Sequence, residues 1–145
     1  MSKIDANTYS LFERSLFRCT ADDSFLERFY DLFLQSSEEV AARFAGVDMK
    51  RQRSVLRGSL YLVARAAGGF SDGMEHLGQI ARSHGERGLD IKPAFYEVWL
   101  DALLRAASHC DPHFDAATRA AWETCLRPCI EIMTGAASGT SPSSI

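Results

Sequence analysis

No stretch of this sequence is apolar for long enough to cross a bilayer, which takes about 20 apolar residues as a helix. No export signal is visible either, because MSKIDANTYSLFERSLF mixes charged with apolar residues throughout. Basic residues are not in excess. The 16 Lys and Arg are scattered among 19 Asp and Glu, and the net charge of −3 is a poor basis for neutralising nucleic-acid phosphates. Cysteine is scarce and unsuitably spaced: Cys19, Cys110, Cys125 and Cys129 form no Cys-x-x-Cys pair and have no histidine at zinc spacing. They read as small buried hydrophobes of a reducing compartment, with no redox role. Absent too are a Gly-rich phosphate loop after a strand, Gly-x-Ser-x-Gly and His-Glu-x-x-His. These absences leave the expectation of a soluble, cytoplasmic protein without membrane or nucleic-acid partners. Its 145 residues suffice for one domain with a core and a pocket.

Strict alternation of strand length is missing as well. Apolar residues recur at helical spacing nearly everywhere, so the chain reads as all-α. Phe25, Leu26, Phe29, Tyr30, Leu32 and Phe33 mark one helix, capped by oxygens of Asp22, Asp23 or Ser24. Ser36 and Glu39 stand at capping-box spacing before a short helix ending near Phe44. The longest pattern places Met49, Leu56, Leu60, Val63 and Ala67 on one face and stops at Gly68 and Gly69. Ser71 or Asp72 is expected to cap a helix carrying Met74, Leu77, Ile80, Ala81 and His84, closed loosely by Gly85 and Gly88. Pro93 opens the next, striped by Phe95, Trp99, Leu103 and Ala107. After Asp111, Pro112 and Asp115 a last helix aligns Ala121, Trp122, Cys125, Cys129 and Met133, with a bend expected at Pro128. One domain over residues 1–136 and a disordered tail over 137–145 are expected.

Three polar residues fall where the periodicity calls for apolar ones. Gln52 lies between Met49 and Leu56, Tyr30 between Leu26 and Phe33, and His84 after Leu77 and Ala81. An inward polar group without a partner costs roughly 1 to 3 kcal/mol, so the three call for one another, for water or for a ligand. Each also has an ordinary reading: a histidine bonded to backbone, a tyrosine with its hydroxyl at the surface, a glutamine one position out of phase. His109 and His113 straddle Pro112, which disfavours a helical ligand pair, and His76 is expected to face solvent. KRQR at 50–53 reads as the wet side of a helix, where a basic residue could meet an anionic group at a pocket mouth.

In FLERFYDLFL with Tyr30, RFAGVDMKRQRSVL with Phe44, Gln52 and Leu56, and HLGQIARSHGERGLDIKPAFYEVWLDALL with His84, the sequence resembles the globins, and more closely the single-domain bacterial globins. The separations agree: fourteen residues from Tyr30 to Phe44, eight to Gln52 and thirty-two more to His84. FDAATRAAWETCL also looks like the start of a globin's last helix, and the resemblance runs over about residues 8–135. It implies a globin fold of about seven to eight helices around a haem pocket, with haem b (iron protoporphyrin IX) as cofactor. His84 would be the axial iron ligand, its second ring nitrogen donating to the Ile80 carbonyl or the Ser83 hydroxyl. Phe44 would lie flat on the porphyrin, Leu56 would close the distal side, and Tyr30 and Gln52 would reach the bound gas. Tyr96 matches a tyrosine of the proximal network seen in flavohaemoglobins. The glutamate of that network is replaced by Ala137, and the interval from His84 to Tyr96 is two residues longer than is usual.

The expected function is reversible binding of dioxygen, nitric oxide or carbon monoxide for storage, delivery or scavenging, with a gas-binding role placed ahead of catalysis. One alternative is nitric oxide dioxygenation with an external reductase, since no flavin domain follows in this sequence. Another is a gas-sensing or interaction module. A monomer or homodimer is expected; the helices of Trp99 and Trp122 could pair with a second copy, which exposed aromatics there would support.

Overall fold

The computed structural model describes residues 4–86 and 93–134, with side chains 83–86 and 93 outside that description. The described residues form α1 (Ala6–Thr20), α2 (Ser24–Gln35), α3 (Glu38–Arg43), α4 (Met49–Ala67), α5 (Ser71–Glu86), α6 (Pro93–Cys110) and α7 (Ala116–Thr134), with no strand. Short oxygen-bearing side chains start many of them. Asp5 takes the Thr8 N–H at 3.1 Å, Asp22 takes that of Ser24 at 2.9 Å, and Asp115 takes that of Thr118 at 2.8 Å. Asp48 bonds the amides of Lys50 and Arg51.

Several boundaries depart from the periodic reading. The cap of α3 is Ser37, whose hydroxyl accepts the Val40 N–H at 3.0 Å, while Ser36 donates backwards to the Phe33 carbonyl and so closes α2. α5 starts at Ser71 because the Phe70 carbonyl already accepts from Met74, which puts Asp72 inside the first turn. Gly85 lies within α5, whereas Gly88 and the tail 137–145 lie outside the described residues. α7 runs through Pro128; the carbonyl that its ring leaves without a partner belongs to the exposed Thr124, where water can solvate it. The turn between α4 and α5 needs Gly69, whose φ of +85° favours glycine.

α1 packs against α7, α2 against α6, and α4 against α5, with α7 touching both α4 and α5. Trp122 is fully buried, its ring 5.2 Å from Phe12 and 6.4 Å from Phe25. Trp122 therefore offers no exposed aromatic on α7: the inward stripe of that helix is core, and the exposed aromatics are Phe17, Tyr61 and Phe70. No helix among the described residues is long and apolar enough to cross a membrane.

Candidate functional site

α2, α3, α4 and α6 line an open-mouthed cavity of about 370 Å³. Phe33, Val40, Phe44, Leu56, Phe95 and Trp99 give it apolar walls, and Tyr30, Gln52, Tyr96 and Arg43 add polar atoms. Each wall residue is placed by its own helix. Tyr30 follows Leu26 by one turn and precedes Phe33 by another, so it is buried with them. Phe44 terminates α3, where the chain leaves the helix, and its ring stands 5.8 Å from Tyr30 and 6.0 Å from Phe33. Gln52 and Leu56 are successive inward positions of α4. Tyr96 and Trp99 sit 6.3 Å apart in the opening turns of α6, one face of which is turned toward α2.

The Gln52 Nε2 donates to the Tyr30 Oη at 3.1 Å, which leaves the phenol proton for a further acceptor. Burial pushes the Tyr30 phenol above its ordinary value, and the bond from Gln52 opposes this only in part, so at neutral pH it keeps its proton. Burial pushes Tyr96 up to about 12, and it too stays neutral. At the mouth the Arg43 guanidinium lies 5.2 Å from the centre of the Phe95 ring, a cation held over an aromatic face.

Of the residues singled out by sequence, the fold brings Tyr30, Phe44, Gln52, Leu56 and Tyr96 to this one cavity. Ile80 is half-buried against the core and is not among the described cavity walls. His84 belongs to α5, the helix packed along α4, but its side chain lies outside the described residues. His109 and His113 are exposed, and no cluster of His, Cys, Asp or Glu suited to a metal occurs among the described residues. His76 does not simply face solvent: it is half-buried with its Nε2 2.8 Å from the Ser59 hydroxyl, and burial lowers its pKa. Phe33, Val40, Arg43, Phe95 and Trp99 were not foreseen as site residues, although Phe33 stands one turn after Tyr30 on the inward face of α2. The four-residue steps from Val40 to Phe44 and from Phe95 to Trp99 were the available signal; Arg43 had none beyond its place beside Phe44.

No family model matches the chain, and no curated protein does. A crystal structure from Pseudomonas aeruginosa PAO1, described as structurally highly homologous to a human haemoglobin, matches with a TM-score of 0.83 and 36% sequence identity. The match covers 89% of this chain and 97% of that one. Identity of that size, sustained over nearly the whole of the relative, goes with common descent as well as common shape: the chain belongs to the globin family and is similar to bacterial haemoglobin-like proteins.

Proposed function

We propose that this globin binds haem b, iron protoporphyrin IX, and thereby reversibly binds dioxygen or another diatomic gas. The observation that carries the reading is the hydrogen bond of 3.1 Å between Gln52 and Tyr30 in a cavity with largely apolar walls. The walls suit a flat, mostly apolar macrocycle with acidic side chains. Phe44 offers a ring face, Leu56, Phe95 and Trp99 offer apolar contact, and Arg43 offers a cation at the mouth. When bound, the group supplies an iron atom with a coordination position for a diatomic gas.

The chain's own residues do the rest. His84 is the proposed iron ligand, and the Ile80 carbonyl one turn earlier is the proposed acceptor for its second ring N–H. Gln52 steadies the phenol of Tyr30 by donating to its oxygen, and Tyr30 offers its retained proton to the gas. Leu56 and Phe33 keep water from competing for that proton. A donor such as the Tyr30 O–H would favour a bound gas that develops negative charge, dioxygen, over one that develops little, carbon monoxide.

The test is the absorption spectrum of protein expressed with haem available. A strong haem band is expected in the wild type, and an altered ferrous spectrum or loss of haem in His84→Ala. A wild type that takes up no haem, or an unchanged spectrum in the variant, removes the reading. Tyr30→Phe is expected to speed dioxygen release by roughly tenfold, the loss of one hydrogen bond; stopped-flow dissociation measures it.

A further inference from the structure

The hairpin of α4 and α5 is fastened at three levels. Nearest the turn, the Arg65 Nε holds both carboxylate oxygens of Asp72, at 2.9 and 2.8 Å. Next, Gly73 lies directly on α4, so closely that a Cβ there would stand 2.2 Å from the Ala66 nitrogen and 2.5 Å from the Leu62 carbonyl oxygen. Farthest from the turn, the Ser59 Oγ and the His76 Nε2 are 2.8 Å apart, both residues half-buried.

The positions of this last pair along their helices give it leverage. Ser59 follows Leu56 by three residues and Gln52 by seven, so it continues the face of α4 that lines the cavity. His76 precedes Ile80 by four residues and His84 by eight. At 1.5 Å per residue, position 84 lies about 12 Å farther along α5. The other two contacts lie near the turn and hold the root of the hairpin. Among the described residues, the Ser59 to His76 bond is the α4 to α5 hydrogen bond farthest from the turn. Side-chain size at the contact sets how close the helices come; a hydrogen bond adds a directional restraint on the orientation of the two residues.

We propose that the Ser59 to His76 hydrogen bond is a positioning contact, restraining the placement of the part of α5 that carries His84 against the cavity wall of α4. The proposal rests on the reading of His84 as iron ligand. Neither residue is among the described cavity walls, so both would act through the placement of α5.

The experiment compares wild-type holoprotein with Ser59→Ala, His76→Leu, the double variant and His76→Gln, whose amide can take the place of the Nε2. Haem transfer to a scavenger is expected to run roughly twofold to tenfold faster in Ser59→Ala and in His76→Leu, as for one lost hydrogen bond. The iron–histidine stretching band of the ferrous protein is expected to shift in both. His76→Gln is expected to restore both readouts, and the double variant to be no worse than the worse single one, as coupled partners require. A lower melting temperature of the apoproteins with haem loss and band position unmoved makes the bond merely structural and overturns the proposal. So do variants that match the wild type throughout. If the wild type takes up no haem, the iron reading falls and this proposal with it; uptake by the wild type with an unmoved band in the variants overturns the positioning role alone.

Discussion

Glycine at 73 and glycine at 58 have the same side chain and opposite reasons for it. A methyl group at 73 would collide with the backbone of α4, whereas one at 58 meets nothing within 4 Å on an exposed stretch of helix. Gly73→Ala is therefore expected to cost roughly 1 to 3 kcal/mol in urea unfolding through overpacking. Gly58→Ala is expected to add about 0.5 to 1 kcal/mol by removing backbone freedom from the unfolded chain. Equal effects at the two sites would contradict the tight crossing. The helical pattern runs through both glycines and cannot rank them, because the atoms that crowd Gly73 belong to another helix. Tyr30 and Gln52 were legible as inward residues, because helical phase is a local property. That they bond to each other was only one of the options left open, since the bond joins residues twenty-two positions apart.

At the scale of elements, the corner after α6 is tied to α1 by one carboxylate. Asp111 is buried; it accepts from the Ser15 hydroxyl at 2.6 Å and from the Arg18 Nε and Nη2 at 2.7 and 2.9 Å. It also accepts the His113 N–H at 2.9 Å, so it caps the turn as well as joining the helices. Burial works to raise its pKa, yet the bonds from Arg18, Ser15 and His113 outweigh it and hold the carboxyl below the usual range. A depressed folded-state pKa stabilises the fold above the ordinary carboxylate value of about 4 and loses that contribution as pH falls through the lower folded value. Asp111→Asn is thus expected to cost roughly 1 to 3 kcal/mol at neutral pH. In urea unfolding from neutral pH to below about pH 4, its stability should fall less steeply than that of the wild type. A constant difference between the two proteins across that range would count against the clamp. The sequence showed Asp111 only as punctuation. α3 likewise existed as expected, but a serine one place later took the cap, because Ser36 was already engaged with α2.

Across the whole molecule, burial separates the thiols. Cys19, Cys125 and Cys129 are buried, and burial pushes each up to about 12, whereas Cys110 is half-buried at the end of α6. A thiol reagent at neutral pH is expected to label Cys110 first, with the fast phase lost in Cys110→Ser and the other three reacting only as the protein opens globally. Fast labelling of Cys125 or Cys129 would mean that the contact of α7 with α4 is loose. The same packing decided what became of the tryptophans: Trp122 went into the core and Trp99 onto the cavity wall. By itself the sequence left α1 unread and determined that the chain is helical, roughly where α2 to α7 lie, and that Tyr30 and Gln52 turn inward. These follow from backbone geometry and from neighbours within a few residues. Only the tertiary structure decided that α2, α3, α4 and α6 bring their inward residues to one cavity, that His76 meets Ser59 instead of water, and that Asp111 holds α1. A residue's helical phase is set by its own helix, but which faces meet is set by how all the helices bury their apolar surface together.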